Sequence, residues 1–220
     1  MIKAVLFDLD GTLVNSLADL AASSNFALKE FGFPAHKTES FKYFVGDGMP
    51  KLIERILPSE KRDENTIKAV LNVFLEHYKE HYCDNTTEYQ GIFDALSIIK
   101  EKGISCAVVS NKKQDMAVCV TEKFFGNMFS IVCGKREGFP AKPDPALTLQ
   151  VIKELNVKPS ECLFVGDSGM DMAVAKNAGC LALGVLWGFR KKDELLQNGA
   201  DFLAEKPSDI VRIIEEIQNG

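Results

Sequence analysis

The chain has 220 residues, 46% of them apolar and 26% charged, and a formal net charge of −5. This is the balance of a globular chain long enough for one large domain, or for a core with a smaller attachment. An acidic surplus with no cluster of Lys and Arg argues against a nucleic-acid surface, which needs grouped cations to hold phosphate backbones.

The first element in chain order is IKAVLFD (2–8), apolar over most of its length as a strand buried on both faces reads, and ending on Asp8 with Asp10 two residues on. Those acids interrupt the apolar run before a signal-peptide core or a membrane span is complete, so a cytoplasmic protein without membrane attachment is expected. Next, LADLAASSNFALKEFG, PKLIERIL and ENTIKAVLNVFLEHYKEHY carry helical spacing with no strand run between them. They predict a small helical insertion over 15–85, with hinges near 14–16 and 85–89. Beyond it, the strand runs ISCAVVS (104–110), ECLFVGD (161–167) and CLALGV (180–185), with the weaker FSIVCG and ADFLA, alternate with helical patterns. Those patterns lie near 91–102, 113–124, 145–156, 169–178 and 207–218. The alternation predicts an α/β fold: a doubly wound, Rossmann-like parallel sheet built from 1–14 and 86–220, with helices on both faces. Cys83, Cys106, Cys119, Cys133, Cys162 and Cys180 form no C-x-x-C pair, several sit in apolar runs, and they read as buried free thiols.

In an open α/β sheet the site forms outside the carboxyl ends of the strands, where the strand order reverses. Polar groups follow three of the runs: Asp8, Asp10 and Thr12; Ser110, Asn111 and Lys112; Asp167, Ser168 and Asp171. A fourth segment, GFPAKPDP, holds Lys142; Pro143 biases it toward extended backbone, Asp144 can cap, and Pro145 suits the first position of a helix. Four aspartates at neighbouring strand ends repel one another unless a cation or a proton intervenes, and an oxygen-rich site of few carboxylates suits octahedral Mg²⁺. A hydroxyl, an amide and a lysine remain to hold the oxygens of a phosphoryl group. Singly, each piece has a plainer reading. A D-x-D pair can be local hydrogen bonding, Ser110 a turn residue, Lys142 a solvated cation, and Asp167 and Asp171 caps for the helix that DSGMD begins.

Together and in this order, DLDGT, VVSN, AKPDP and VGDSGMD resemble the four motifs of the haloacid dehalogenase-like hydrolase superfamily. The insertion after the first strand resembles that family's smaller helical cap, and DLDGTLVNS with FVGDGMPKLIERIL resembles its phosphoglycolate phosphatase-like branch. The resemblance implies a Mg²⁺-dependent phosphatase of a small phosphorylated metabolite, with Asp8 as nucleophile forming an aspartyl-phosphate and Asp10 as general acid and base. It further implies Mg²⁺ on the Asp8 carboxylate, the Asp10 carbonyl and Asp167, with Asp171 directly on the ion or one contact away. Ser110 and Lys142 would bind the phosphoryl oxygens, helped by the backbone amides of Gly11 and Asn111, with Thr12 also at the substrate. Asn15 departs from the branch, which often has an acid there; the expected effect is on capping or cap movement. Pyrophosphatase, sugar phosphatase, nucleotidase and phosphomutase readings share this core. A phospho-accepting signalling module does not place an acid two residues past its acceptor and has no helical cap.

Within the insertion, VGDGMPKL (45–52) is the candidate substrate loop: Gly46 and Gly48 free the backbone, Pro50 sits where a helix would begin, and Lys51 and Arg55 could attract an acidic tail. A surface turn with solvated cations is the plainer alternative. His77 and His81, four apart with no third ligand, read as a solvated face, and Trp187 and Phe189 as core. Monomer and homodimer both remain open.

Overall fold

The structure, a computed structural model that describes residues 1–219, divides into two units: Met1–Val14 with Glu88–Gly220, and Asn15–Thr87. The elements in chain order are β1 (Ala4–Phe7), β2 (Val14–Asn15), α1 (Leu17–Glu30), α2 (Met49–Ile56), α3 (Glu64–His81), β3 (Thr87–Glu88), α4 (Ile92–Glu101) and β4 (Ser105–Lys113). They continue as α5 (Gln114–Phe125), β5 (Ile131–Lys135), α6 (Ala146–Glu154), β6 (Cys162–Gly166), α7 (Gly169–Ala178), β7 (Leu181–Val185), α8 (Lys192–Gln197), β8 (Phe202–Ala204) and α9 (Ser208–Asn219). The chain leaves the first unit through β2 and returns through β3, which pair as a two-stranded ribbon.

In the first unit six parallel strands lie in the order β5-β4-β1-β6-β7-β8. The chain works outward from β1 to β4 and β5, then crosses to the other side of β1 for β6, β7 and β8. The order therefore reverses about β1, and the carboxyl ends of β4, β1 and β6 are neighbours there. All four β1 residues are buried, because AVLF is apolar on both pleat faces and both are covered. On one face Leu6, Val109 and Phe164 join Val151 of α6 and Met172 and Ala175 of α7 in one core. On the other, the Phe7 ring meets Phe129 edge-on at 6.0 Å, and Phe129 packs on Phe125 of α5. Each fully buried large side chain contributes about 1.5–3 kcal/mol relative to exposure, which makes this two-sided apolar layering the main source of stability.

Several expected boundaries shift. β4 runs three residues past 110, because its ladder resumes after an irregularity and Lys113 pairs in register with Lys135. Helix α6 begins one residue later than the prolines suggest: Pro145 is its cap, and Asp144 Oδ1 accepts the Ala146 N–H at 2.9 Å. The six-residue α8 was not expected, since it is too short to show a helical period. Cys106, Cys133, Cys162 and Cys180 are buried free thiols, but Cys119 is exposed. Among the described residues no helix is long and apolar enough to cross a membrane.

In the second unit α1 and α2 pack on α3 around Leu28, Phe41, Ile53, Ile56, Phe74 and Tyr78. Asp63 starts α3 by accepting the Thr66 N–H at 3.0 Å. Asp19 of α1 is buried and accepts from the backbone N–H of Asn85 at 2.9 Å and of Thr86 at 2.8 Å, from Asn85 Nδ2 at 2.9 Å and from the Thr86 hydroxyl at 2.7 Å. His77, read from sequence as solvated, instead stacks on Phe26 at 4.1 Å with Nδ1 3.0 Å from Ser23 Oγ, while His81 pairs with Asp84 in the open.

Candidate active site

Phe7, the last residue of β1, stands level with Val108 of β4 and Val165 of β6, so Asp8 is the first residue beyond the end of β1 and still lies between its two neighbours. Its backbone N–H still donates to Val165 O at 2.9 Å, fixing where the side chain emerges. Lys142 arrives through the loop before α6, across a cis Lys142–Pro143 peptide. Its own N–H donates to Asn111 Oδ1 at 2.9 Å, and its ammonium donates to Asp8 Oδ1 at 2.7 Å, Asp171 Oδ1 at 2.6 Å and Val109 O at 3.2 Å. One lysine thus joins the end of β1, the backbone of β4 and the first turn of α7.

Asp171 is held from behind by the start of α7. Ser168 caps the helix, and Asp171 Oδ2 accepts the Ser168 N–H at 3.0 Å and its hydroxyl at 2.6 Å, a reciprocal cap that leaves Oδ1 for the lysine. Asp167 accepts from the Thr12 hydroxyl at 3.3 Å and from the Phe189 N–H at 2.8 Å. Gly11 has φ 94°, and a Cβ there would collide with the Asp167 carboxylate, so the turn after Asp10 requires glycine twice over. Thr12 is fully buried, and the Trp187 indole N–H donates to its carbonyl at 3.0 Å.

Charges are unbalanced at this centre. Asp8, Asp167 and Asp171 are all buried and can each offer one oxygen within 4.8 Å of the others. Burial pushes Asp8 from its ordinary 3.8 up to about 6, with Lys142 opposing and Asp171 and Asp10 reinforcing the rise. Burial, followed by the charges of Asp171 and Asp8, raises Asp167 well above its ordinary value. Burial alone would depress Lys142, but Asp171 and Asp8 beside it hold its pKa above the usual value. Three hard oxygen donors with one ammonium among them form a donor set that fits a divalent cation such as Mg²⁺.

The structure brings Asp8, Lys142, Asp167 and Asp171 together, and Asp10 lies close enough to Asp8 to affect its charge. Ser110 and Asn111 stand on the extended end of β4: Ser110 Oγ accepts the Lys112 N–H at 3.2 Å, and Asn111 holds the Lys142 backbone. Gly46 and Lys51 belong to the second unit, where Lys51 pairs with Glu54 at 2.7 Å and Arg55 pairs with Asp47. Sequence reasoning gave no role to Lys112, whose side chain is wholly buried and whose ammonium lies 3.1 Å from an Asp10 oxygen. Strand alternation was the available signal, since it turns Lys112 inward and Lys113 outward. The Phe189 N–H on Asp167 left no signal, being a backbone group.

A family model described as haloacid dehalogenase-like hydrolase matches residues 5–185. The chain is 33% identical over 223 residues to a phosphoglycolate phosphatase of Chromobacterium violaceum, covering 100% of this chain and 98% of the relative. It is 34% identical over 219 residues to a phosphoglycolate phosphatase of Haemophilus influenzae, covering 96% and 98%. A crystal structure of a predicted phosphoglycolate phosphatase from Haemophilus somnus superposes with a TM-score of 0.89 at 31% identity, over 97% of this chain and 98% of that one.

Proposed function

We propose, from the premise that this chain belongs to the haloacid dehalogenase-like hydrolase family and is a phosphoric monoester hydrolase of its phosphoglycolate phosphatase-like branch, that it hydrolyses a small phosphorylated acid, 2-phosphoglycolate foremost, with Mg²⁺ and through an aspartyl-phosphate. The observation that carries the reading is the buried group of Asp8, Asp167 and Asp171, with Lys142 bridging Asp8 and Asp171.

Lys142 occupies Asp8 Oδ1 and leaves Oδ2 as the attacking oxygen. That oxygen bonds to phosphorus as the ester P–O bond breaks, and Asp10 gives its proton to the departing alkoxide. Water then attacks the phosphorus, Asp10 takes the water's proton, and inorganic phosphate leaves Asp8 restored. The Ser110 oxygen already accepts the Lys112 N–H, so its own O–H can point at a phosphoryl oxygen, whereas the Gly11 N–H expected beside it donates to Val14 O at 2.8 Å. Thr12 acts one contact back, orienting Asp167. Mg²⁺, held by Asp8, Asp167, Asp171 and the Asp10 carbonyl, would offset negative charge on the transferring group. Recognition of the acid tail calls for a cation; Lys51, with the backbone of Gly46, is our candidate, and Lys51→Ala should raise KM with kcat little changed.

Phosphate release is to be measured from 2-phosphoglycolate, pyrophosphate, sugar phosphates and nucleotides, with Mg²⁺ or EDTA, for the wild-type chain and Asp8→Asn. The highest kcat/KM on 2-phosphoglycolate, dependence on Mg²⁺ and loss of turnover in Asp8→Asn are expected. A flat profile refutes the substrate, and full turnover in Asp8→Asn refutes the covalent route.

A further inference from the structure

We infer that Lys112 is a positioning residue for Asp10: its buried ammonium is the fixed anchor that holds the acid–base carboxylate in one rotamer. The inference rests on the phosphatase reading above. The ammonium lies 3.1 Å from Asp10 Oδ1 and 3.2 Å from Oδ2, so it grips both oxygens rather than one. The lysine side chain has 0% exposure while that of Asp10 has 21%. A surface pair would have both ends wet and be worth little; here the cation has no water to retreat to, and Asp10 is the member facing solvent and substrate.

The anchor itself is built in. Lys112 lies on the irregular end of β4, where its N–H is taken by Ser110 Oγ. Two residues on, the Gln114 side chain donates to Val132 O at 3.0 Å and accepts the Gly134 N–H at 2.7 Å, clamping the strand end to β5. Gly134 packs so closely that a Cβ there would stand 2.5 Å from the Lys112 carbonyl oxygen. Backbone held on both sides and a side chain buried to its tip leave the ammonium one place to be. An untethered aspartate samples several χ1 wells, whereas a general acid must stay within hydrogen-bond reach of the oxygen it serves. Lys112 supplies that restriction without touching the phosphoryl group.

A double-mutant cycle with Lys112→Met and Asp10→Asn tests this, using p-nitrophenyl phosphate and the best natural ester of the wild-type chain, with Mg²⁺ present. Lys112→Met should lower kcat about 10- to 100-fold, the scale of a misplaced catalytic group, with KM changed less than about threefold. In the Asp10→Asn background the same change should cost less than about twofold, because there is no longer an acid to position. Equal losses in both backgrounds mean general structural support and overturn the inference. So does an unaltered kcat, or a rise in KM alone, which would make Lys112 a substrate ligand. Should the Met variant melt before assay, Lys112→Gln, which keeps a polar head, is read by the same criteria. Absence of turnover in the wild-type chain overturns the phosphatase reading and this inference with it; turnover with a failed cycle overturns this inference alone.

Discussion

Replacing Asp8 by asparagine should change how stability depends on pH in the cation-free protein. Asp8 moves from an ordinary 3.8 to about 6 on folding. Below about pH 4 the carboxyl is protonated in both folded and unfolded chains and costs nothing. Between about 4 and 6 the unfolded chain gives up its proton first, so the folded state is progressively destabilised, and above about 6 the full cost is present. At about 1.4 kcal/mol per pKa unit this is on the order of 3 kcal/mol, which for a chain of this size corresponds to about 6–12 °C in melting temperature. The amide of the Asp8→Asn variant never ionises and escapes the penalty. In EDTA, the Tm of the wild-type chain minus that of Asp8→Asn should therefore fall by that amount between pH 4 and pH 7, followed by thermal scanning in matched buffers. A difference that stays level, or that grows with pH, refutes the idea that charge burial dominates at Asp8. Mg²⁺ at a hundredfold excess over its Kd should restore about 2.7 kcal/mol to the wild-type chain.

Lys142→Met should abolish turnover and lower stability by about 3–5 kcal/mol in urea titrations, because it leaves Asp8 and Asp171 buried without their shared cation. Gly11→Ala forces a side chain into the Asp167 carboxylate at a positive φ, and should cost about 1–3 kcal/mol while shrinking the rise in Tm on adding Mg²⁺. Asp19→Ala strips one acceptor from four donors, two on buried Thr86 and two on exposed Asn85; a loss of about 2–3 kcal/mol is expected, seen as faster hydrogen exchange within residues 15–87.

The apolar runs made the sheet legible, since strands buried on both faces announce themselves by composition, and the acids that end them locate the site. Asp8 and Asp167 could be named because each ends such a run, and Asp171 because it lies one helical turn beyond Asp167 where the next helix begins. What the runs could not convey was reach across the fold. Asn111 was expected to offer its backbone amide to substrate, and the sequence did not show that its side chain holds the Lys142 backbone 31 residues away. Thr12, expected beside substrate, turns its hydroxyl to Asp167, 155 residues on. Lys112 was named among the groups that follow the second run but given no role, because nothing in the sequence announces that its side chain is wholly buried against Asp10, 102 residues away.

The hydrogen bonds of Asp19 make the helical insertion a cassette with its own clasp: the residues by which the chain enters and leaves are tied to each other by one carboxylate. A segment whose ends are already joined places little entropic demand on its host, because the closure cost of a loop is met inside the segment itself. Such a unit can be exchanged for another of different length between the same two crossings without reworking the sheet. Transplanting residues 15–87 into a related core should then leave the sheet and the carboxylates at its strand ends as they are.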